Sequence, residues 1–242
     1  MQRQSSMRRE KASRRPTPGA GASGTQTREI TIPAGSARLE GTVTLPQGAH
    51  GIVLFAHGSG SSRHSPRNTF VAAALQRAGI GTLLLDLLTD REASDRENVF
   101  DIELLAERLR AASAWVRANA ETRAVSIGYF GASTGAAAAL VAAADDREVR
   151  AIVSRGGRPD LAADALPRVK APTLLIVGGH DFGVIELNEE AYARLRCEKR
   201  IAIVPGATHL FEEPGALEEV VRLASDWFVE HLGAVPEGGV RS

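Results

Sequence analysis

Five residues carry the most chemistry in this chain: Gly131-Ala132-Ser133-Thr134-Gly135. They stand between an apolar run, Val125 to Phe130, that reads as a buried strand, and an alanine-rich run, Ala136 to Ala144, that reads as a helix. A serine on a strand-to-helix turn, with glycine two residues to either side, has the layout of a nucleophile elbow. Such a turn is so tight that the serine backbone is strained, and the flanking chain closes around it only where side chains are absent. The strain pushes the hydroxyl out above the sheet edge. A serine hydroxyl does not attack at neutral pH unaided, so the elbow needs a base and a group that orients that base.

Both are found past later strands. After Thr173 to Val177 come Gly178-Gly179-His180-Asp181, and after Arg200 to Val204 come Pro205-Gly206-Ala207-Thr208-His209. The chain order Ser133, Asp181, His209 is the one expected of an elbow-type triad. In those roles His209 takes the serine proton and returns it to the leaving group, while Asp181 holds the ring in one tautomer and balances its charge. Among the other histidines, His180 is the rival to His209, but it precedes the acid and lacks a loop that would swing it over the serine. His50 and His231 fall at the wrong edge or on the surface. Among other acids, Asp86 reads as a structural or substrate-side carboxylate, and Glu186 lies farther out on a helix.

The loop after Ile52–Ala56, His57-Gly58-Ser59-Gly60, offers backbone N–H groups that few side chains block. An acyl-transfer site needs two such donors for its oxyanion, each worth about 3–4 kcal/mol. One would come from Thr134 and the other from Ser59 or Gly60. His57 is expected to orient this loop, and His64 to line the substrate side. Arg155-Gly156-Gly157-Arg158 follows another strand. Its arginines either pair with surface acids or select a carboxylate or phosphate on a substrate; Arg155, nearer the strand end, is the better candidate for the second role.

The elements that must hold these residues alternate along the chain. Residues 29–33 and 37–45 read as an opening antiparallel pair. Apolar strands follow at 52–56, 81–85, 125–130, 149–154, 173–177 and 200–204, with helices at 69–78, 99–119, 136–144, 186–195 and 216–231. Continuous apolar strands separated by helices imply a parallel sheet covered on both faces, with sites at the carboxyl ends of its strands. The segment from Ser154 to Thr173 has room for one short helix near Leu161–Leu166, so any cap is minimal and the site is expected to be open.

At 242 residues and 43% apolar content the chain is ordinary globular material for one sizeable domain. No apolar run nears the roughly eighteen residues of a membrane span. Net charge is zero, but residues 1–28 carry +6 and little that could form a core, so a disordered basic tail is expected there. The domain is expected over 29–232, with 233–242 a flexible end. A nucleic-acid or lipid tether through the basic tail is the lesser reading. The single cysteine, Cys197, forms no internal disulfide and fits a cytoplasmic setting.

Taken together, the stretches LFAHGSGSSRHSPRN (54–68), IGYFGASTGAAAA (127–139), VSRGGRPDLA (153–162), PTLLIVGGHD (172–181) and VPGATHLFEEPG (204–215) resemble the α/β-hydrolase superfamily, and within it the dienelactone hydrolase-like group. The resemblance covers about Glu29 to Leu232. It implies an α/β-hydrolase fold: a mostly parallel, doubly wound sheet of about eight strands. It also implies Ser133 as nucleophile, Asp181 as acid, His209 as base, and Ser59 and Thr134 as oxyanion-hole amides; no metal or cofactor is expected. Dienelactone hydrolases proper carry cysteine at the elbow, where this chain has Ser133. The expected activity is therefore hydrolysis of a small carboxylic ester, lactone or thioester. Chains of this style also resemble a domain fused to a phosphoribosyltransferase, although no phosphoribosyl-pyrophosphate loop is evident. Alternatives are a non-catalytic scaffold, or a peptidase or perhydrolase with the same triad.

Overall fold

Eight strands form one sheet in the order β1-β2-β4-β3-β5-β6-β7-β8. A computed structural model describes residues 24–233; most of the expected N-terminal tail and nearly all of the C-terminal one lie outside them. Strands β1 (Gln26–Ala34) and β2 (Ala37–Leu45) form an antiparallel hairpin, and β2 pairs antiparallel with β4 (Gly81–Leu85). Strands β3 (Gly51–Ala56), β4, β5 (Ser126–Ala132), β6 (Val149–Arg155), β7 (Thr173–Gly178) and β8 (Lys199–Val204) run parallel. Strand β1 begins at Gln26, so the last residues of the expected tail belong to the sheet.

The central strands are apolar throughout because both faces are covered. In β3, Ile52, Leu54 and Ala56 enter one core, while Val53 and Phe55 enter the other. The first core is packed by α4 (Ile102–Ala118) and α5 (Thr134–Ala144), the second by α1 (Pro66–Arg77) and α7 (Ala216–Leu232). Two-residue alternation in each strand thus feeds two layers. The large buried side chains Tyr129, Phe130 and Phe228 each stabilise the fold by about 1.5–3 kcal/mol through burial.

Several helices differ from the sequence reading: α5 and α6 (Phe182–Arg194) start two and four residues early. Helix α1 starts at Pro66 rather than residue 69, because Ser65 caps it by accepting from Asn68 N–H and proline is well placed in a first turn. The expected helix over 99–119 is broken at Asp101. Short helices α2 (Asp90–Ala93) and α3 (Arg96–Phe100) precede it, and Asp101 caps α4 by accepting from Leu104 N–H at 3.0 Å. The segment between β6 and β7 holds only two 3-10 turns, Pro159–Ala162 and Leu166–Arg168. Helix α6 follows β7. No described helix is long and apolar enough to cross a membrane.

Candidate active site

The sheet order reverses at β3, whose neighbours are β4 and β5. Loops leaving β3 and β5 therefore emerge side by side, at the place where open α/β sheets hold their ligands. Register puts Ala56 beside Gly131 and Ala132 beside Arg155. The loop His57–Gly60, the elbow and the end of β6 are thus neighbours by backbone pairing alone.

Ser133 sits between β5 and α5 with φ 51 and ψ −122. A non-glycine residue held there stores about 1–3 kcal/mol of strain. The glycines on either side are sterically required. A Cβ at Gly131 would stand 2.4 Å from Ala136 Cα, and one at Gly135 would stand 2.1 Å from the Ala56 carbonyl oxygen. The Ser133 carbonyl accepts from Ala136 and Arg158 N–H groups at 3.1 Å each, which fixes the turn from both sides.

Asp181 occupies the N-cap position of α6, yet its side chain makes no capping bond. Its Oδ2 instead meets His209 Nδ1 at 2.7 Å. That leaves Nε2 as the free ring nitrogen, and His209 and Ser133 line the same cavity of about 230 Å³. Among the described residues no direct hydrogen bond joins the two. The His209 loop is braced by Glu213, which accepts from Thr208 Oγ1 at 2.6 Å and Thr208 N–H at 3.1 Å. Those two donors hold the Glu213 carboxyl below the usual carboxylate range. Two residues past His209, Phe211 is buried with φ 56. Neither Glu213 nor Phe211 stands out in the sequence as a site residue, since a left-handed phenylalanine has no compositional signal.

The loop His57–Gly60, after β3, is tied to the elbow. Ser59 N–H donates to Thr134 Oγ1 at 3.1 Å, and Gly58 approaches so closely that a Cβ there would stand 2.9 Å from Ser133 Cβ. Thr134 N–H, in the first turn of α5, has no acceptor among the described residues and benefits from the helix dipole. His57 accepts from Leu87 N–H through Nε2 at 3.3 Å, so its Nδ1 carries the proton and donates to the Gly58 carbonyl at 3.0 Å. It orients the loop, as expected. Asp86 pairs with the Arg63 guanidinium, accepts from Arg63 N–H at 2.7 Å, and also lines the larger cavity beside this loop.

Other expectations need correction or sorting. His64 is exposed and lines neither of the two cavities at the site. Arg63 is drawn inward to Asp86 and Ser65 turns in to cap α1, which leaves the intervening His64 facing out. His180 packs near Phe182 rather than at Ser133. Arg158 pairs with Asp160 through two bonds of 2.9 and 2.7 Å, whereas Arg155 is buried beside Ser133 and His209. A second cavity of about 480 Å³ lies across the His57–Gly60 loop, walled in part by Leu88, Val99, Phe100 and Leu105. Its α2–α3 wall was not foreseen. One cluster among the described residues has the spacing of metal ligands, Glu198, Glu230 and His231. Glu198 precedes β8, at the opposite end of the strands from Ser133.

Comparison with known proteins agrees with this fold. Residues 43–230 match the Dienelactone hydrolase family. A dienelactone hydrolase from Anabaena variabilis, known from its crystal structure, superposes with a TM-score of 0.84 at 57% identity, covering 86% of this chain and 99% of that one. Est1E from Butyrivibrio proteoclasticus shares the fold at a TM-score of 0.73 and 14% identity, over 85% of this chain and 99% of its own. Proteins from two Mycobacterium tuberculosis strains, provisionally named phosphoribosyl transferases, are 58% identical over 212 residues, or 87% of this chain. The chain spans about half the length (48%) of those relatives. With its eight-stranded sheet, strained elbow serine and matching sequence, the chain belongs to the dienelactone hydrolase family, with the α/β-hydrolase fold.

Proposed function

We propose that the protein is a serine hydrolase that cleaves a carboxylic ester, lactone or thioester through an acyl-enzyme. The observation that carries this reading is the 2.7 Å bond between His209 Nδ1 and Asp181 Oδ2, in a loop whose histidine shares a cavity with the strained Ser133. The Asp181 carboxylate accepts the Nδ1 proton, which makes Nε2 the basic nitrogen. Nε2 takes the Ser133 proton as Oγ attacks the substrate carbonyl, and the resulting oxyanion accepts from Thr134 N–H. Ser59 N–H is the second donor, turning from Thr134 Oγ1 to the stronger, charged acceptor. His209 then gives its proton to the leaving oxygen or sulfur. Water, deprotonated by the same nitrogen, releases the acid and restores Ser133.

The Anabaena relative's name points to the same class of carbonyl chemistry. The mycobacterial relatives' name attaches to chains about twice as long, and the strand-to-helix turn here presents a nucleophile rather than a pyrophosphate cradle. A fluorophosphonate probe tests the reading: it should label Ser133, and purified protein should release p-nitrophenol from its acetate ester. Ser133→Ala should lose both, with activity falling by about 10³-fold or more. Folded protein that takes no label would instead mark a scaffold without catalysis.

A further inference from the structure

At the far end of the strands from Ser133, His231 is an imidazole held in place without a hydrogen-bond partner. It lies in the last turn of α7 with its side chain 11% exposed, and it packs edge-on against Trp227 at a ring-centroid distance of 4.4 Å. Its Nε2 is enclosed and, among the described residues, makes no hydrogen bond. Two carboxylates stand before it. Glu198, next to the start of β8, places Oε1 3.7 Å from Nε2. Glu230 brings a second: one donor atom from each of the three residues lies within 4.8 Å of the others.

The spacing between His231 and Glu198 is informative. At 3.7 Å the two atoms are too far apart for a hydrogen bond. Two ligand atoms on a tetrahedral zinc ion, each bound at about 2.1 Å, stand about 3.4 Å from one another. Both glutamates are exposed, so their side chains can swing in by the remaining margin while the packed imidazole stays where it is.

The charges at this end of α7 also favour a cation. Lys199, the residue after Glu198, gives its ammonium to the Tyr192 and Leu195 carbonyls at 2.6 and 2.7 Å rather than to either glutamate. Glu230 sits in the last turn of its helix, where the dipole adds partial negative charge and a bare carboxylate is unfavourable. One imidazole nitrogen with two carboxylate oxygens suits zinc, whereas Mg²⁺ takes oxygen ligands and keeps its water.

We propose that His231, Glu198 and Glu230 form a zinc site, with water in the fourth position, that fastens the last turn of α7 to the start of β8. The proposal is independent of the hydrolase reading, since Glu198 and Ser133 stand at opposite ends of the sheet.

Calorimetry on the untagged, chelator-treated protein near neutral pH tests it, with ZnCl₂ and MgCl₂ as the probes. One equivalent of Zn²⁺ should bind and raise the melting temperature, and Mg²⁺ at the same concentration should do neither. His231→Gln, Glu198→Gln and Glu230→Gln should each weaken zinc binding by about tenfold or more and remove the thermal shift. If His231→Gln does not melt cooperatively, the two variants at exposed glutamates decide. Absence of zinc binding, equal binding of Mg²⁺, or zinc binding that the folded variants retain in full (an adventitious ion at another histidine) overturns the site.

Discussion

Ser59 and Thr134 are 75 residues apart in sequence, and the backbone N–H of one donates to the hydroxyl of the other at 3.1 Å. This bond ties the loop after β3 to the first turn of the helix behind Ser133. It holds one proposed oxyanion donor within reach of the site while leaving the other, Thr134 N–H, without an acceptor among the described residues.

Thr134→Val keeps the shape of the side chain and removes that acceptor. The flanking glycines, Gly58 and Gly60, then leave the loop free to drift. We expect kcat on p-nitrophenyl acetate to fall by about tenfold, less than the 10²–10³-fold loss of an entire donor. Steady-state kinetics with an unchanged melting temperature would show it; an unchanged kcat would mean that the bond does not organise the donor.

Asp181 stands at a helix N-cap but spends its carboxylate on His209. Asp181→Asn should therefore leave the fold stable while reducing kcat by about 10³–10⁴-fold, because the amide cannot hold the same tautomer. Parallel denaturant melts and ester assays separate the two effects. A loss of stability matching the loss of activity would contradict this division.

The elbow glycines should be intolerant for a packing reason. Gly131→Ala or Gly135→Ala drives a Cβ into backbone at 2.4 or 2.1 Å and should cost about 1–3 kcal/mol or more. Gly183, within α6, has nothing within 4 Å of its Cβ position. Gly183→Ala should stabilise by about 0.4–1 kcal/mol. Urea unfolding midpoints of the three variants test the contrast.

Helix α2 carries Glu92, whose carboxylate bonds the buried Arg108 at 2.8 Å and caps at Thr89. Burial raises the Glu92 carboxyl, but the Thr89 bonds and Arg108 outweigh it and hold the group below its ordinary range. Its contribution is thus complete above the unfolded carboxyl's pKa and disappears as pH falls through the lower folded value. Glu92→Gln should lower the melting temperature most at neutral pH, and the gap from wild type should close on acidification. A gap that stays constant with pH would rule out the charge as its origin.

The sheet and the proposed triad could be read from the chain because their signals are local. Apolar runs of five or six residues mark the buried strands; the elbow follows β5 directly, Asp181 lies three residues past β7, and His209 lies five residues past the partly exposed edge strand β8. Caps were also written locally, in Ser65-Pro66 and in Asp101, although unbroken helical spacing concealed the second. Where a single residue stood between two neighbours drawn inward, as His64 does between Arg63 and Ser65, its direction could not be deduced from type alone.

What packing alone decided are the pairings across the fold. The amino-acid order places Arg155 and Arg158 close together and puts Asp160 two residues past Arg158; only the assembled sheet buries Arg155 beside Arg67 without a carboxylate. Phe211 takes a left-handed backbone that its residue type disfavours, and α2 with α3 walls a cavity next to Ser59. Backbone preference and periodicity are properties of a few consecutive residues, so the strands, helices and turn chemistry belong to the sequence. Which charge meets a partner, and which is left facing a cavity, depends on residues brought together from distant segments, and that is settled only when the two cores close on the sheet.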